Sequence, residues 1–181
     1  MDRYPYLRIK NRRLCSFDMR YSIRDVIKRT PPNKPLYLLD EDGVTDNRPN
    51  YNIYQRLSGH ADLWIDAGPR TVEDVMDIVM AGATAVIFRP SLWPMLDVDE
   101  ILNITDCSLY AVYESPEVTM PPKMNGLIIP YSSDLLMHFP LSLSQHSLHL
   151  LNLTNTDVIP NESSWSGAFL DFPFFITEEH P

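Results

Sequence analysis

Between residues 36 and 112 the chain repeats one pattern: a short, uninterrupted apolar run, then a segment of helical period. The runs occupy residues 36–39, 63–65, 85–88 and 109–112. An unbroken run is what a strand covered on both faces needs, whereas a half-exposed strand would alternate. The intervening segments carry helix signals. Asn50 stands where it can cap a helix bearing Ile53, Tyr54 and Leu57, and Gly59 ends it. Thr71 and Asp74 have capping-box spacing ahead of Val72, Val75, Met76, Val79 and Met80, which share one helical face, and Gly82 follows. Val98, Ile101 and Leu102 form a shorter helical stripe. Strands alternating with helices predict parallel pairing through crossovers. No G-x-G-x-x-G turn follows a strand, which argues against a dinucleotide-binding sheet and leaves a (β/α) barrel or a flavodoxin-like open sheet.

The two ends are less regular. Tyr6, Leu7, Ile9, Leu14 and Phe17 predict a strand pair or one long strand over residues 4–17. Ser22 and Asp25 then open a short helix with Ile23, Val26 and Ile27, which Pro31 and Pro32 stop. The basic residues Arg8, Lys10, Arg12 and Arg13 alternate with Leu7, Ile9 and Leu14; a strand with one solvated face and a binding arm both fit. Beyond residue 115 the expected elements are strands at 127–129, 148–153 and 168–175 and a short helix at 134–139, joined by proline- and serine-rich stretches. One domain over residues 1–181 is expected, regular over about 36–115 and irregular over 116–181.

Charge narrows the partners. At a net charge of -9 the chain repels phosphate backbones, so no nucleic-acid partner is expected. No stretch approaches a membrane span, and Met1 leads directly into Asp2 and Arg3, so the expectation is a cytoplasmic protein with no membrane partner. Cys15 and Cys107 form no metal or redox motif, and no resident metal or cofactor is expected.

Ligands of parallel α/β folds lie at the carboxyl ends of the strands. That rule selects Asp40, Asp42, Asp46, Asp66, Gly68, Arg70, Arg89, Tyr113 and Glu114. Asp40, Asp66 and Glu114 are the candidate catalytic carboxyls, able to act as acid or base. Asp42 would contact hydroxyls of a ligand, and Gly68, Arg70 and Arg89 would hold its anionic group. Against this, Asp40 also fits a turn cap, Arg70 a surface residue at a helix start, and Arg89 an ion pair with Asp66. His138, His146 and His149 have no ligand spacing and fit structural roles.

Residues 36–93 carry Leu39-Asp40-Glu41-Asp42-Gly43-Val44, Asn50 with Ile53, and Trp64-Ile65-Asp66-Ala67-Gly68-Pro69-Arg70, then Thr71 to Asp74, Ala81-Gly82-Ala83 and Val86-Ile87-Phe88. In these features the stretch resembles the phosphoribosyl isomerases of histidine biosynthesis, and in particular an uncharacterised archaeal branch. The resemblance implies an α/β fold of the parallel (β/α) TIM-barrel type, here shortened or degenerate in its C-terminal third. It also implies a phosphorylated substrate. It places the family's first-strand base at Arg8 and its fifth-strand acid at Tyr113, or at Glu114 with a one-residue shift. Isomerisation needs a proton relay between two groups, so the expected function is binding of a small anionic metabolite, a phosphorylated one included, without that isomerisation. Two other readings stand beside it. One is a non-catalytic interaction protein on a decayed barrel, in which Phe172, Phe174, Phe175 and Ile176 would cover an open sheet edge or join a dimer. The other is a metal-dependent enzyme built on the acidic strand ends.

Overall fold

The structure, a computed structural model, describes residues 2–115, 121–131, 147–153 and 165–171. Strand β1 (Asp2–Lys10) leads into a hairpin of β2 (Arg13–Ser16) and β3 (Met19–Tyr21), followed by helix α1 (Ile23–Arg29). Strand β4 (Pro35–Asp40) precedes α2 (Glu41–Asp46) and α3 (Tyr51–Leu57); β5 (Asp62–Asp66) precedes α4 (Val72–Met80); β6 (Ala83–Phe88) precedes α5 (Val98–Leu102). Strands β7 (Ser108–Val112), β8 (Gly126–Pro130), β9 (Ser147–Leu153) and β10 (Gly167–Asp171) complete the set.

Strands β1 and β4 to β10 pair in parallel, each with the next, and β10 returns to β1 with Asp2 opposite Gly167 and Tyr6 opposite Asp171. The fold is therefore a closed eight-stranded parallel barrel with helices, and the irregular C-terminal third supplies its last three strands. The open-sheet alternative is excluded by that closure. The expected helix at 134–139 and the apolar residues Phe172, Phe174, Phe175 and Ile176 lie outside the described residues. No helix among the described residues is long and apolar enough to cross a membrane.

Successive strand residues face opposite sides, so each strand feeds two cores. Leu36, Leu38, Leu63, Ile65, Val86 and Phe88 face the helices, where Tyr54, Leu57, Val75 and Ile78 cover them. Tyr6, Tyr37, Ile87, Tyr110, Ile128 and Phe169 face the barrel axis with Trp64. The interior is packed with rings: Trp64 stacks on Tyr110 at 4.2 Å between centroids, and Tyr37 meets Phe169 at 5.0 Å. Burying each such ring or branched side chain contributes on the order of 1.5–3 kcal/mol.

Two local features depart from sequence preference, which reads the polar stretch 41–49 as a loop and ends the α4 stripe at Met80. The polar stretch after Asp40 is helix α2, because the Asp40 carboxylate caps it and Asn47 ends it in the left-handed region at φ 54°. On α4, Ile78 rather than Met80 completes the buried stripe, and Met80 is 78% exposed.

Candidate functional site

The mouth at the carboxyl ends of the strands is assembled by alternation. On β1 the inward series Tyr4, Tyr6 continues to Arg8. On β5, Trp64 continues to Asp66. Past β6, Ala85 and Ile87 continue to Arg89, and past β7, Tyr110 and Val112 continue to Glu114.

Three of these inward groups, Asp66, Arg89 and Glu114, are linked to one another, whereas Arg8 turns to Glu41 and the Phe17 carbonyl. Arg89 Nε donates to Asp66 Oδ1 at 2.9 Å and its Nη2 to Oδ2 at 2.6 Å, a bidentate pair on a fully buried carboxylate. The Tyr37 hydroxyl donates to the same Oδ2 at 2.9 Å. Burial, reinforced by the Asp66 charge, pushes the Tyr37 phenol well above its ordinary range, so it stays a donor. Glu114 lies 3.9 Å from Arg89 Nη1 and accepts from the amide and hydroxyl of Ser91 at 2.9 and 2.7 Å. Arg89 thus faces two carboxylates.

Asp40 belongs elsewhere. It has the phase of Leu36 and Leu38 and points into the helix layer, while Tyr37 and Leu39 face the axis. Its carboxylate is fully buried and accepts from the Gly43 amide at 3.1 Å, the Asn50 amide at 2.7 Å, Asn50 Nδ2 at 2.9 Å and the Tyr54 hydroxyl. Burial raises its pKa even against those donors. Tyr113 likewise faces the helix side.

Gly68 and Arg70 close the seam between the β5–α4 turn and α2. Gly68 adopts φ +63°, and a Cβ there would lie 2.8 Å from Leu92 and 3.0 Å from the Val44 backbone. Arg70 folds back to donate to the carbonyls of Gly68, Val44 and Gly43 at 2.9, 2.7 and 3.3 Å and to Asn47 Oδ1 at 2.7 Å. It acts here as a cap on α2.

Asp42 anchors the hairpin. It accepts from the amides of Asn11 and Arg12 at 2.8 and 2.9 Å and from Asn50 Nδ2 at 3.0 Å. Asn11 and Arg12 both have positive φ, 50° and 60°, with no glycine to ease the turn. Two successive amides on one carboxylate form an anion nest that offsets that strain. Replacing Asp42 by alanine should therefore cost about 1–2 kcal/mol in urea denaturation and speed amide exchange at Asn11 and Arg12. Unchanged exchange at those two amides would show that the turn holds without it.

The site residues thus fall into two groups. Asp66, Arg89 and Glu114 meet at the mouth; Asp40, Asp42, Gly68 and Arg70 surround α2. Asp46 is exposed on the same helix. Among the described residues no group of three or more His, Cys, Asp or Glu is placed to hold a metal ion.

The hairpin carries the basic cluster for which the sequence left both a solvated strand face and a binding arm open. It continues the inward side of β1 past the rim: Arg8 lies opposite Cys15, which lies opposite Arg20, and Lys10 lies opposite Arg13. The basic cluster, read with its alternation, was the available signal. No family model matches the chain, and a search of curated proteins finds no match.

Proposed function

We propose that this barrel binds a small anionic metabolite at its carboxyl-terminal mouth and does not run the proton relay of the histidine-biosynthesis isomerases it resembles in sequence. The observation that carries the reading is the unequal use of charge at the rim. The acids Asp66 and Glu114 are spent on Arg89 and Ser91, and Asp40 is turned away into the helix layer. Arg13 and Arg20, by contrast, are exposed and make no ion pair among the described residues. Cations without counter-ions beside a packed barrel suit ligand binding, whereas acid–base chemistry needs a carboxyl that reaches the ligand.

The test is a thermal-shift and calorimetric series with ribose 5-phosphate, pyrophosphate and citrate. A ligand at one hundred times its dissociation constant should add about 2.7 kcal/mol. Ribose 5-phosphate should bind without being isomerised. A flat series, or turnover, overturns the reading.

One observation favours an interaction protein as a second reading. The strand β3 is the one open edge of the sheet among the described residues, and Phe17 beside it and Met19 within it are 49% and 56% exposed. Light scattering distinguishes the two: a monomer at every concentration counts against dimerisation through that edge.

A further inference from the structure

We propose that the cationic face of the β1–β2–β3 ribbon is the anion site itself, and that its ligand is a small, multiply charged oxyanion. This rests on the anion-binding reading above and adds the place and the residues. The ribbon has two unlike sides. Ile9, Leu14 and Tyr21 lie in one cross-strand row and pack into the outer core. The other side carries Arg8, Cys15 and Arg20 in one row and Lys10 and Arg13 in the next. Because Arg8 shares the phase of Tyr6, this side prolongs the barrel's inner face beyond the rim.

The cationic side bounds an open cleft of about 470 Å³, lined by Lys10, Arg13, Cys15, Phe17, Asp18 and Arg20. That volume falls within the range of small-ligand sites. Glu41 partly neutralises one end, 3.3 Å from Arg8 and 3.1 Å from Lys10. Arg13 and Arg20 lack such a partner among the described residues. Their planar guanidinium groups suit two-point contact with a phosphate or carboxylate.

Two facts set this surface apart from an ordinary solvated strand face. Residues 1–34 contain ten of the chain's 15 Lys and Arg but only three of its 24 Asp and Glu, so the cations are segregated within an acidic protein. Lys10 and Arg13 also stand directly opposite each other. Like charges in that position destabilise a strand pair, and a bound anion between them removes the repulsion. The same chemistry is shared by a phosphorylated sugar and by a polycarboxylate, and the arms of the test separate them.

The experiment titrates ribose 5-phosphate, pyrophosphate and citrate into the wild-type chain, Arg13→Gln, Arg20→Gln and the double variant by calorimetry. Each single variant should weaken binding by about tenfold and the double variant more. The midpoint of unfolding without ligand should stay level or rise, since repulsion is relieved. A second readout uses Cys15, which lies between Arg8 and Arg20. Ligand should slow its alkylation by iodoacetamide while leaving Cys107 unaffected. If the wild type binds an anion and the double variant binds it equally, or if Cys15 is not protected, the site is elsewhere and this inference fails while the anion-binding reading survives. If the wild type binds none of the three, the anion-binding reading itself fails.

Discussion

Replacing Arg89 by methionine should destabilise the barrel by about 3–5 kcal/mol, the usual penalty for stripping a buried ion of its partner. Asp66 is fully buried, and both of its oxygens are engaged by Arg89 at 2.9 and 2.6 Å. Without the guanidinium, the carboxylate keeps, among the described residues, only the Tyr37 hydroxyl. Tyr37→Phe alone removes one hydrogen bond to a charged group and should cost about 1.5–3 kcal/mol. The double variant Asp66→Leu, Arg89→Met should recover most of the loss, because an apolar pair of similar volume carries no desolvation penalty. Urea denaturation of the single and double variants gives the coupling directly. A cost below about 1 kcal/mol for Arg89→Met would mean that solvent reaches Asp66 and that the pair is not structural. The result also bears on chemistry. A large coupling means that Asp66 and Arg89 are fixed to each other, which leaves the ribbon cations to meet a ligand.

The rhythm of the barrel is legible in the sequence because strands covered on both faces must be uninterrupted apolar runs. Residues 36–39, 63–65, 85–88 and 109–112 announce β4 to β7, and the apolar runs near 127–129, 148–153 and 168 onward mark β8 to β10. The site is less legible because the rule that ligands gather at strand ends ignores the phase of each strand. Asp40 and Asp66 both close an apolar run before a loop. Counted from the ring that faces the axis, Asp66 is two residues past Trp64 and points inward, while Asp40 is three past Tyr37 and points out. That count is available from sequence only once the inward ring has been identified.

Helix α2 and the hairpin illustrate the other limit. The segment Glu41–Asp46 has a central glycine and no apolar stripe, so its local preference is for a loop. Asp40 caps its start, and Arg70, more than twenty residues later, caps its carbonyls. The turn at Asn11 and Arg12 lacks glycine, and the carboxylate that holds it is that of Asp42, thirty residues on. Partners so distant in sequence leave no local signature. Asp42 holds the turn of the ribbon, so under the proposed anion site this acidic strand end would support the cations.

Acidification should weaken the fold through His149, the second large effect. The imidazole lies inside the barrel, 6% exposed, among Trp64, Tyr110 and Phe169 at 5.0, 5.6 and 6.0 Å between centroids. Its Nε2 lies 3.0 Å from the Ser147 hydroxyl, and Nδ1 has no hydrogen-bond partner among the described residues. Burial lowers its pKa to about 4, against an ordinary value of 6.5. The unfolded chain therefore takes up the proton first. The contribution is fully present above about pH 6.5 and is lost as the pH falls towards 4, to a total of about 3 kcal/mol. The variant His149→Leu should lack this slope, and subtracting its profile from that of the wild type cancels the carboxylates titrating in the same range. Parallel profiles would mean that water reaches the ring. The position of His149 fixes where the loss is felt. It lies opposite Gly167, whose missing side chain leaves the imidazole its room; a Cβ there would sit 2.9 Å from Nδ1. Gly167 in turn lies opposite Asp2 on the strand pair that closes the barrel. Charging the ring forces a hydrated ion against that closure, so amides of β10 should lose exchange protection before those of β5 and β6.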